Sequence, residues 1–330
     1  VADTTIEWTD ATWNPTTGCD RVSPGCDNCY ALTLAKRLKG MGSAKYQTDG
    51  DPRTSGPGFG LAMHDDALDL PLRWRKPKRV FVNSMSDLFH PKVTDEFIAR
   101  AFAVMALAGR HTFQVLTKRA PRMASLISRP DFLAAVAEHA TALIFEQGAV
   151  NTSPLSTWTC NPNPDGSNLD EWVPPWPLPN VWLGVSVEDQ QRADERVPRL
   201  LQTPAAVRFL SCEPLLGPID LHAHDDGLHH WLPDYGPDYD DGSGEPVCQA
   251  HGISECRQGR SFIDWVVTGG ESGPGFRHVD LDWFRAIRDQ CDAAGVAYLH
   301  KQNGGRYPKA NGRRLDGATH DGYPEVARAA

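Results

Sequence analysis

From position 80 onward, short apolar runs alternate with amphipathic stretches. The segments 80–82, 112–116, 181–185, 207–210, 264–267 and 296–299 are short and predominantly apolar, the pattern of strands buried on both faces. Between them, 94–108 carries Phe97, Ala101, Val104, Met105 and Ala108 at helical spacing, with Asp95 and Glu96 in its first turn and Gly109 behind it. Further helices are expected over 121–128, from behind Glu188 through Leu201, and over 280–294 with Gly295 as the stop. Apolar runs alternating with helices of this kind give βα units and a parallel sheet.

Each of the six runs closes on a polar cluster at its carboxyl end. The clusters are Asn83-Ser84-Met85-Ser86-Asp87, Thr117-Lys118-Arg119, Ser186-Val187-Glu188, Ser211-Cys212-Glu213, Thr268-Gly269-Gly270-Glu271-Ser272 and His300-Lys301-Gln302. A doubly wound sheet gathers ligands at one switch point, whereas a (β/α) barrel uses the carboxyl ends of all its strands. The expected fold is therefore α/β, a partial or full (β/α) TIM-type barrel forming a single domain over 1–330. Two stretches interrupt the rhythm and are expected as loop insertions, at about 131–180 and 218–262.

Ahead of this region lies Thr17-Gly-Cys-Asp-Arg-Val-Ser-Pro-Gly-Cys-Asp-Asn-Cys-Tyr30, with Cys19, Cys26 and Cys29 on a chain bent by Gly18, Pro24 and Gly25. Ile6, Trp8 and Trp13 suggest a short strand leading into it. A helix is expected over 30–39, with Ala31, Leu34, Ala35 and Leu38 on one face and Gly40 as its end. Its first N–H groups and dipole would face the sulfurs and favour thiolate. Thiolates on a short loop suit a soft metal centre. A closed zinc site needs four ligands, so three leave one position open for chemistry. Zinc completed by a distant His or Cys, or a disulfide with one thiol left over, are the alternatives.

Composition narrows the setting. The net charge of −9 over 330 residues argues against a protein that coats nucleic acid. No apolar run is long enough to cross a bilayer and no leader pattern opens the chain, so a cytoplasmic protein is expected. There, eight cysteines would be mostly reduced. Cys212 and Cys291 fall at core positions of a strand and a helix. Cys248, His251 and Cys256 have a spacing compatible with zinc, with Cys160 as a further candidate, or belong to an unrelated loop. The Gly-, Asp- and Pro-rich 41–70 segment reads as a surface excursion. In Leu72-Arg-Trp-Arg-Lys-Pro-Lys-Arg79 five basic residues flank a Trp, which suits either a solvated loop or phosphate contact with base stacking on DNA or RNA. No Ser/His/Asp arrangement or phosphate loop stands out.

A three-cysteine loop behind the first strand, followed by a βα barrel with a polar rim, resembles the radical S-adenosylmethionine (radical SAM) enzymes, and Cys26-Asp-Asn-Cys29-Tyr30-Ala31 is similar to the second half of their signature. The phrases Ile6-Glu-Trp-Thr-Asp10, Trp13-Asn-Pro, Met85-Ser-Asp-Leu-Phe89, Leu116-Thr-Lys-Arg119, Trp182-Leu-Gly-Val-Ser186, Ser211-Cys-Glu-Pro214 and Gly269-Gly-Glu-Ser-Gly273 resemble a phage and bacterial family of three-cysteine-motif proteins of unassigned function. The resemblance implies a [4Fe-4S] cluster on Cys19, Cys26 and Cys29, S-adenosylmethionine on the fourth iron, an external electron donor and a 5′-deoxyadenosyl radical that abstracts hydrogen from a substrate it does not name. The 72–79 segment and the Trp-rich loops favour a nucleic-acid base, in DNA or RNA, and the overall acidity counts against one. A three-cysteine-motif partner protein is implied as well. The family places a Gly-Gly-Glu phrase behind its second strand. Here Ser84 and Asp87 stand in that place, and Gly269, Gly270 and Glu271 come later, so the cofactor's amino group is assigned to Ser84 and Asp87. The first cysteine spacing is also longer than the family's, six residues instead of three.

The remaining cofactor-binding candidates each keep a plainer alternative. Tyr30 sits directly behind the third cysteine. Lys118 and Arg119 suit a carboxylate or phosphate, or are ordinary cationic strand ends. Ser186 and Glu188 would bond the ribose or support other groups. Glu213 would line the rim or form a salt bridge there, and Lys301 would ion-pair across it. Gly269 and Gly270 permit close approach of a ligand or merely a tight turn. The readings from other classes are a non-catalytic zinc- or cluster-binding partner protein, and a metal-dependent hydrolase on the same barrel.

Overall fold

The structure, a computed structural model, describes residues 4, 6–147, 158–161, 171–222, 231–232 and 262–325. Eleven strands are assigned in it: β1 (Ala11–Trp13), β2 (Thr16–Thr17), β3 (Ala62–Met63), β4 (Arg79–Val82), β5 (Thr112–Thr117), β6 (Thr159–Asn161), β7 (Glu171–Val173), β8 (Val181–Ser186), β9 (Val207–Cys212), β10 (Trp265–Gly269) and β11 (Ala297–Gln302). The α-helices among the described residues are α1 (Tyr30–Gly40), α2 (Asp95–Leu107), α3 (Ala120–Ile127), α4 (Pro130–Gln147), α5 (Gln190–Leu201) and α6 (Leu281–Ala293).

Seven strands form one all-parallel sheet in the order β1-β4-β5-β8-β9-β10-β11. The order follows the chain without reversal, so the sheet has no switch point. That is the winding of a partial (β/α) barrel rather than a doubly wound sheet. The two remaining pairs, β2 with β3 and β6 with β7, are antiparallel. By contacts the chain divides into two compact units, Val1–Gly184 with Thr203–Ala206 and Val185–Gln202 with Val207–Ala330.

In the first unit, α2 is apolar nearly all round and is buried from Phe97 through Leu107 except at Arg100. Thr94 caps it by accepting the Phe97 N–H at 3.2 Å, and Asp95 and Glu96 oppose the dipole in its first turn. Trp13, fully buried, packs edge-on against Phe113 of β5 and donates its indole N–H to the Ala67 carbonyl at 2.7 Å. In the second unit, α5 is capped by Asp189 and α6 by Asp280. The buried stripe of α6, Phe284, Ile287 and Cys291, follows helical spacing. Cys212 and Cys291 are fully buried core residues, as expected.

Several expectations are corrected. The 41–70 segment is not a surface excursion, because Tyr46, Phe59, Ala67 and Leu68 are buried, and Tyr46 and Phe59 join Ala31, Ala35 and Met85 in a small core. On α1 only Ala31 and Ala35 are fully packed, and Leu34 is exposed. The 131–180 stretch begins inside α4 and also carries the β6–β7 pair. In the basic 72–79 segment Trp74 is buried against His111, and Arg79 pairs with Asp10 at 3.1 Å. That Trp offers no face to a base, and the segment leads into the amino end of β4, away from the polar strand ends. Cys248, His251 and Cys256 lie outside the described residues. No helix among those described is long and apolar enough to cross a membrane.

Candidate functional site

The cysteine loop starts at a backbone contact that only glycine permits. Gly18 has φ +88°, and a Cβ on it would lie 2.1 Å from the Gly60 carbonyl oxygen. Its N–H donates to the Met85 carbonyl at 3.0 Å, and the Cys19 N–H donates to the Phe59 carbonyl at 3.3 Å. These bonds tie the loop to the carboxyl end of β4 and to the 54–60 segment. A 3-10 turn, Pro24–Cys26, then returns the chain, and Cys29 becomes the residue that precedes α1.

Cys19, Cys26 and Cys29 are all free thiols of intermediate exposure. Cys19 and Cys29 rest against the small core formed by Ala31, Ala35, Tyr46, Phe59 and Met85. Burial pushes the Cys19 thiol up to about 12, with the Asp87 charge adding to the rise and Arg119 opposing it. Burial also raises Cys29. The N–H groups of Ala31 and Leu32 at the start of α1 and the Lys118 ammonium act against that rise. The helix start thus works on Cys29 in the anticipated direction, but the effect of burial is larger. Among the described residues no three His, Cys, Asp or Glu side chains converge closely enough to hold a single metal ion.

Directly behind β5, Arg119 touches Cys19 and the Lys118 charge acts on Cys29. Arg119 Nη1 lies 3.4 Å from Cys19 Sγ and 2.8 Å from Asp87 Oδ2, while Nη2 donates to the Asp20 carbonyl at 3.0 Å. Asp87 is buried and accepts four hydrogen bonds. The Phe89 N–H and the Thr117 hydroxyl reach Oδ1 at 3.0 and 2.7 Å, and the Lys118 N–H and Arg119 reach Oδ2 at 3.1 and 2.8 Å. Ser84 is held by Asn14 and its carbonyl accepts the Tyr30 hydroxyl at 2.5 Å, so Tyr30 braces the end of β4.

Two residues of this network were missed from sequence. Asp20 accepts from the Thr54 and Ser55 hydroxyls at 2.7 and 3.0 Å and bonds His90 Nε2 at 3.0 Å, which keeps its carboxyl below the ordinary value against the effect of burial. His90 is lowered by burial first and by the Arg119 charge second. Their signal was adjacency alone: Asp20 follows Cys19, and His90 directly follows the phrase that holds Asp87.

In the second unit the carboxylates at the strand ends each meet a cation. Glu188 is fully buried and bonds Arg196 at 2.9 Å, and Arg196 also donates to the Ser186 carbonyl at 2.7 Å. Glu213 and Lys301 form an ion pair at 3.0 Å, the rim pairing expected of both. Glu271 takes a forked contact from Arg277, at 3.0 Å to Nε and 2.5 Å to Nη2. A Cβ on Gly269 would lie 2.2 Å from Glu213 Oε1, and one on Gly270 2.6 Å from the Asn303 carbonyl oxygen. The chain itself fills the space those two glycines leave.

No curated protein and no solved structure matches the chain. Residues 3–324, nearly its whole length, match a family described as "protein of unknown function" (DUF5131), and the chain belongs to that family.

Proposed function

We propose that the protein is a radical SAM-type enzyme whose iron–sulfur cluster is held by Cys19, Cys26 and Cys29. The observation that carries this reading is the donor set itself: three free thiols on one glycine-fixed loop, with a guanidinium on Cys19 and an ammonium acting on Cys29. Soft thiolates with nearby cations suit an iron–sulfur group, whose core and ligands together carry net negative charge.

When bound, a [4Fe-4S] cluster supplies the electron that splits the sulfonium of S-adenosylmethionine and so begins hydrogen abstraction. The chain's own part is to place the three thiols, shield two of them on the core beneath α1, and balance their charge. Ser84 and Tyr30, joined at the end of β4, and Lys118 stand beside the cysteines as contacts for the cofactor. Among the described residues the Lys118 side chain has no ion-pair partner of its own, which leaves it suited to a carboxylate.

Anaerobic reconstitution with iron and sulfide tests the reading. The expected result is a brown protein with the iron content of a four-iron cluster and cleavage of S-adenosylmethionine that depends on dithionite. Cys26→Ala is expected to abolish cluster assembly while leaving the fold intact, because among the described residues its sulfur makes just one long hydrogen-bond contact, to Ser23 Oγ at 3.9 Å. A colourless protein that loads zinc and binds no S-adenosylmethionine, or a Cys26→Ala variant with full iron content, would overturn the proposal.

A further inference from the structure

Arg119 is anchored from three sides, by Asp87, by the Asp20 carbonyl and by the sulfur of Cys19. Only 10% of its side chain is exposed, and 7% of that of Asp87. Asp87 in turn is fixed by Phe89, Thr117 and Lys118. Arg119 also opens α3 through its own N–H, which donates to the Thr117 hydroxyl at 2.9 Å. A guanidinium restrained in this way keeps its place when the charge beside it changes. Nη1 is already committed to Asp87 and Cys19, so the group is poorly placed as a clamp for a cofactor carboxylate.

Hydrogen bonds to ligand sulfurs and nearby net charge are two of the levers that set an iron–sulfur potential. Three thiolates outweigh the positive charge of the iron–sulfur core, so the oxidised site is anionic and the arriving electron makes it more so. A cation against one sulfur stabilises the reduced form more than the oxidised one, and a neighbouring carboxylate does the reverse. The low dielectric of a nearly closed site strengthens both effects. Resting on the reading that these cysteines hold an iron–sulfur cluster, we propose that Arg119, positioned by Asp87, raises the potential at which the cluster accepts its electron by hydrogen-bonding the Cys19 sulfur.

The two residues therefore act with opposite sign, which a merely structural role would not produce. The test is a redox titration of the reconstituted full chain, with dithionite as the reductant and the reduced cluster followed by electron paramagnetic resonance. Arg119→Gln is expected to disfavour the reduced form at least tenfold, a shift of about 59 mV to more negative potential for a one-electron couple. Arg119→Lys keeps the charge and is expected to stay within about threefold of wild type. Asp87→Asn removes the carboxylate charge; with its amide oxygen in the place of Oδ2 it still accepts from Arg119, and its amide N–H faces the Thr117 hydroxyl, so it is expected to shift the potential in the positive direction. An Arg119→Gln protein with full iron content and a wild-type potential overturns the proposal. Should Arg119→Gln fail to hold the cluster, Asp87→Asn decides: a potential that is unmoved or more negative overturns it. A wild-type protein that assembles no cluster refutes the reading of the preceding subsection instead.

Discussion

His300 should make the protein acid-sensitive in a defined window. The residue lies in β11 and is fully buried, with its ring 4.6 Å from that of Phe284. Its two nitrogens have fixed roles. Nε2 is 2.8 Å from Asn303 Oδ1, an oxygen that can only accept, so Nε2 carries the proton. Nδ1 then accepts from the Thr268 hydroxyl at 2.9 Å, and Thr268 is itself 2.8 Å from the Tyr298 hydroxyl. A second proton on Nδ1 would oblige the Thr268 hydroxyl to turn from donor to acceptor and would place a charge in a buried site. Burial lowers the folded pKa to about 4, helped by His320 and Arg313 and opposed by the bond to Asn303. The unfolded chain titrates near 6.5. Between those values the unfolded state binds a proton that the native state refuses, so stability falls as pH drops from about 6.5 to about 4 and is unaffected above that window. At pH 4.5 the loss from this one group is roughly 2.5 kcal/mol. Urea midpoints measured from pH 8 to pH 4.5 on wild type and His300→Gln isolate it. The variant is less stable at pH 8, and its deficit should shrink by about 2.5 kcal/mol on acidification. A deficit that stays constant with pH would refute the assigned neutral state.

Two further predictions concern packing near the strand ends. Gly18→Ala forces a Cβ to 2.1 Å from the Gly60 carbonyl oxygen at a φ of +88°, and should cost at least about 2 kcal/mol in denaturant unfolding; a wild-type midpoint would show that the loop is not held there. Arg196→Met leaves the fully buried Glu188 without its guanidinium and should cost about 3–5 kcal/mol, much of it recovered when Glu188→Gln is added; additive losses would contradict a coupled pair.

The parallel βα alternation was legible because buried strands and one-sided helices differ in period, and the strand runs at 112–116, 181–185 and 207–210 lie within a residue or two of β5, β8 and β9. The cysteine loop was legible because glycine and proline mark turns that thiols share. The partners of those thiols were not legible. The distance between Cys19 and Arg119 is 100 positions in the chain, and nothing local in Leu116-Thr-Lys-Arg119 distinguishes a cation aimed at a sulfur from one aimed at solvent. Trp74 shows the opposite failure. Its basic neighbours suggest an exposed stacking platform, yet burial against His111 is decided by a helix-to-strand connection whose residues are far apart in sequence.

The same limit explains why the polar strand ends read alike but behave differently. Glu188, Glu213 and Glu271 each meet a cation of the second unit, Arg196, Lys301 and Arg277. A buried carboxylate that already has its partner is satisfied, and engaging a ligand would mean breaking an ion pair in a desolvated setting. At the ends of β4 and β5 the balance differs. One carboxylate, Asp87, serves the Lys118 backbone and the Arg119 side chain, and the cation it fixes has a thiol as its further neighbour. Charge there is paired too, but the cation of the pair also lies against a sulfur. That asymmetry is the physical ground for looking to the cysteine loop, and not to the remaining strand ends, for the chemistry of this protein.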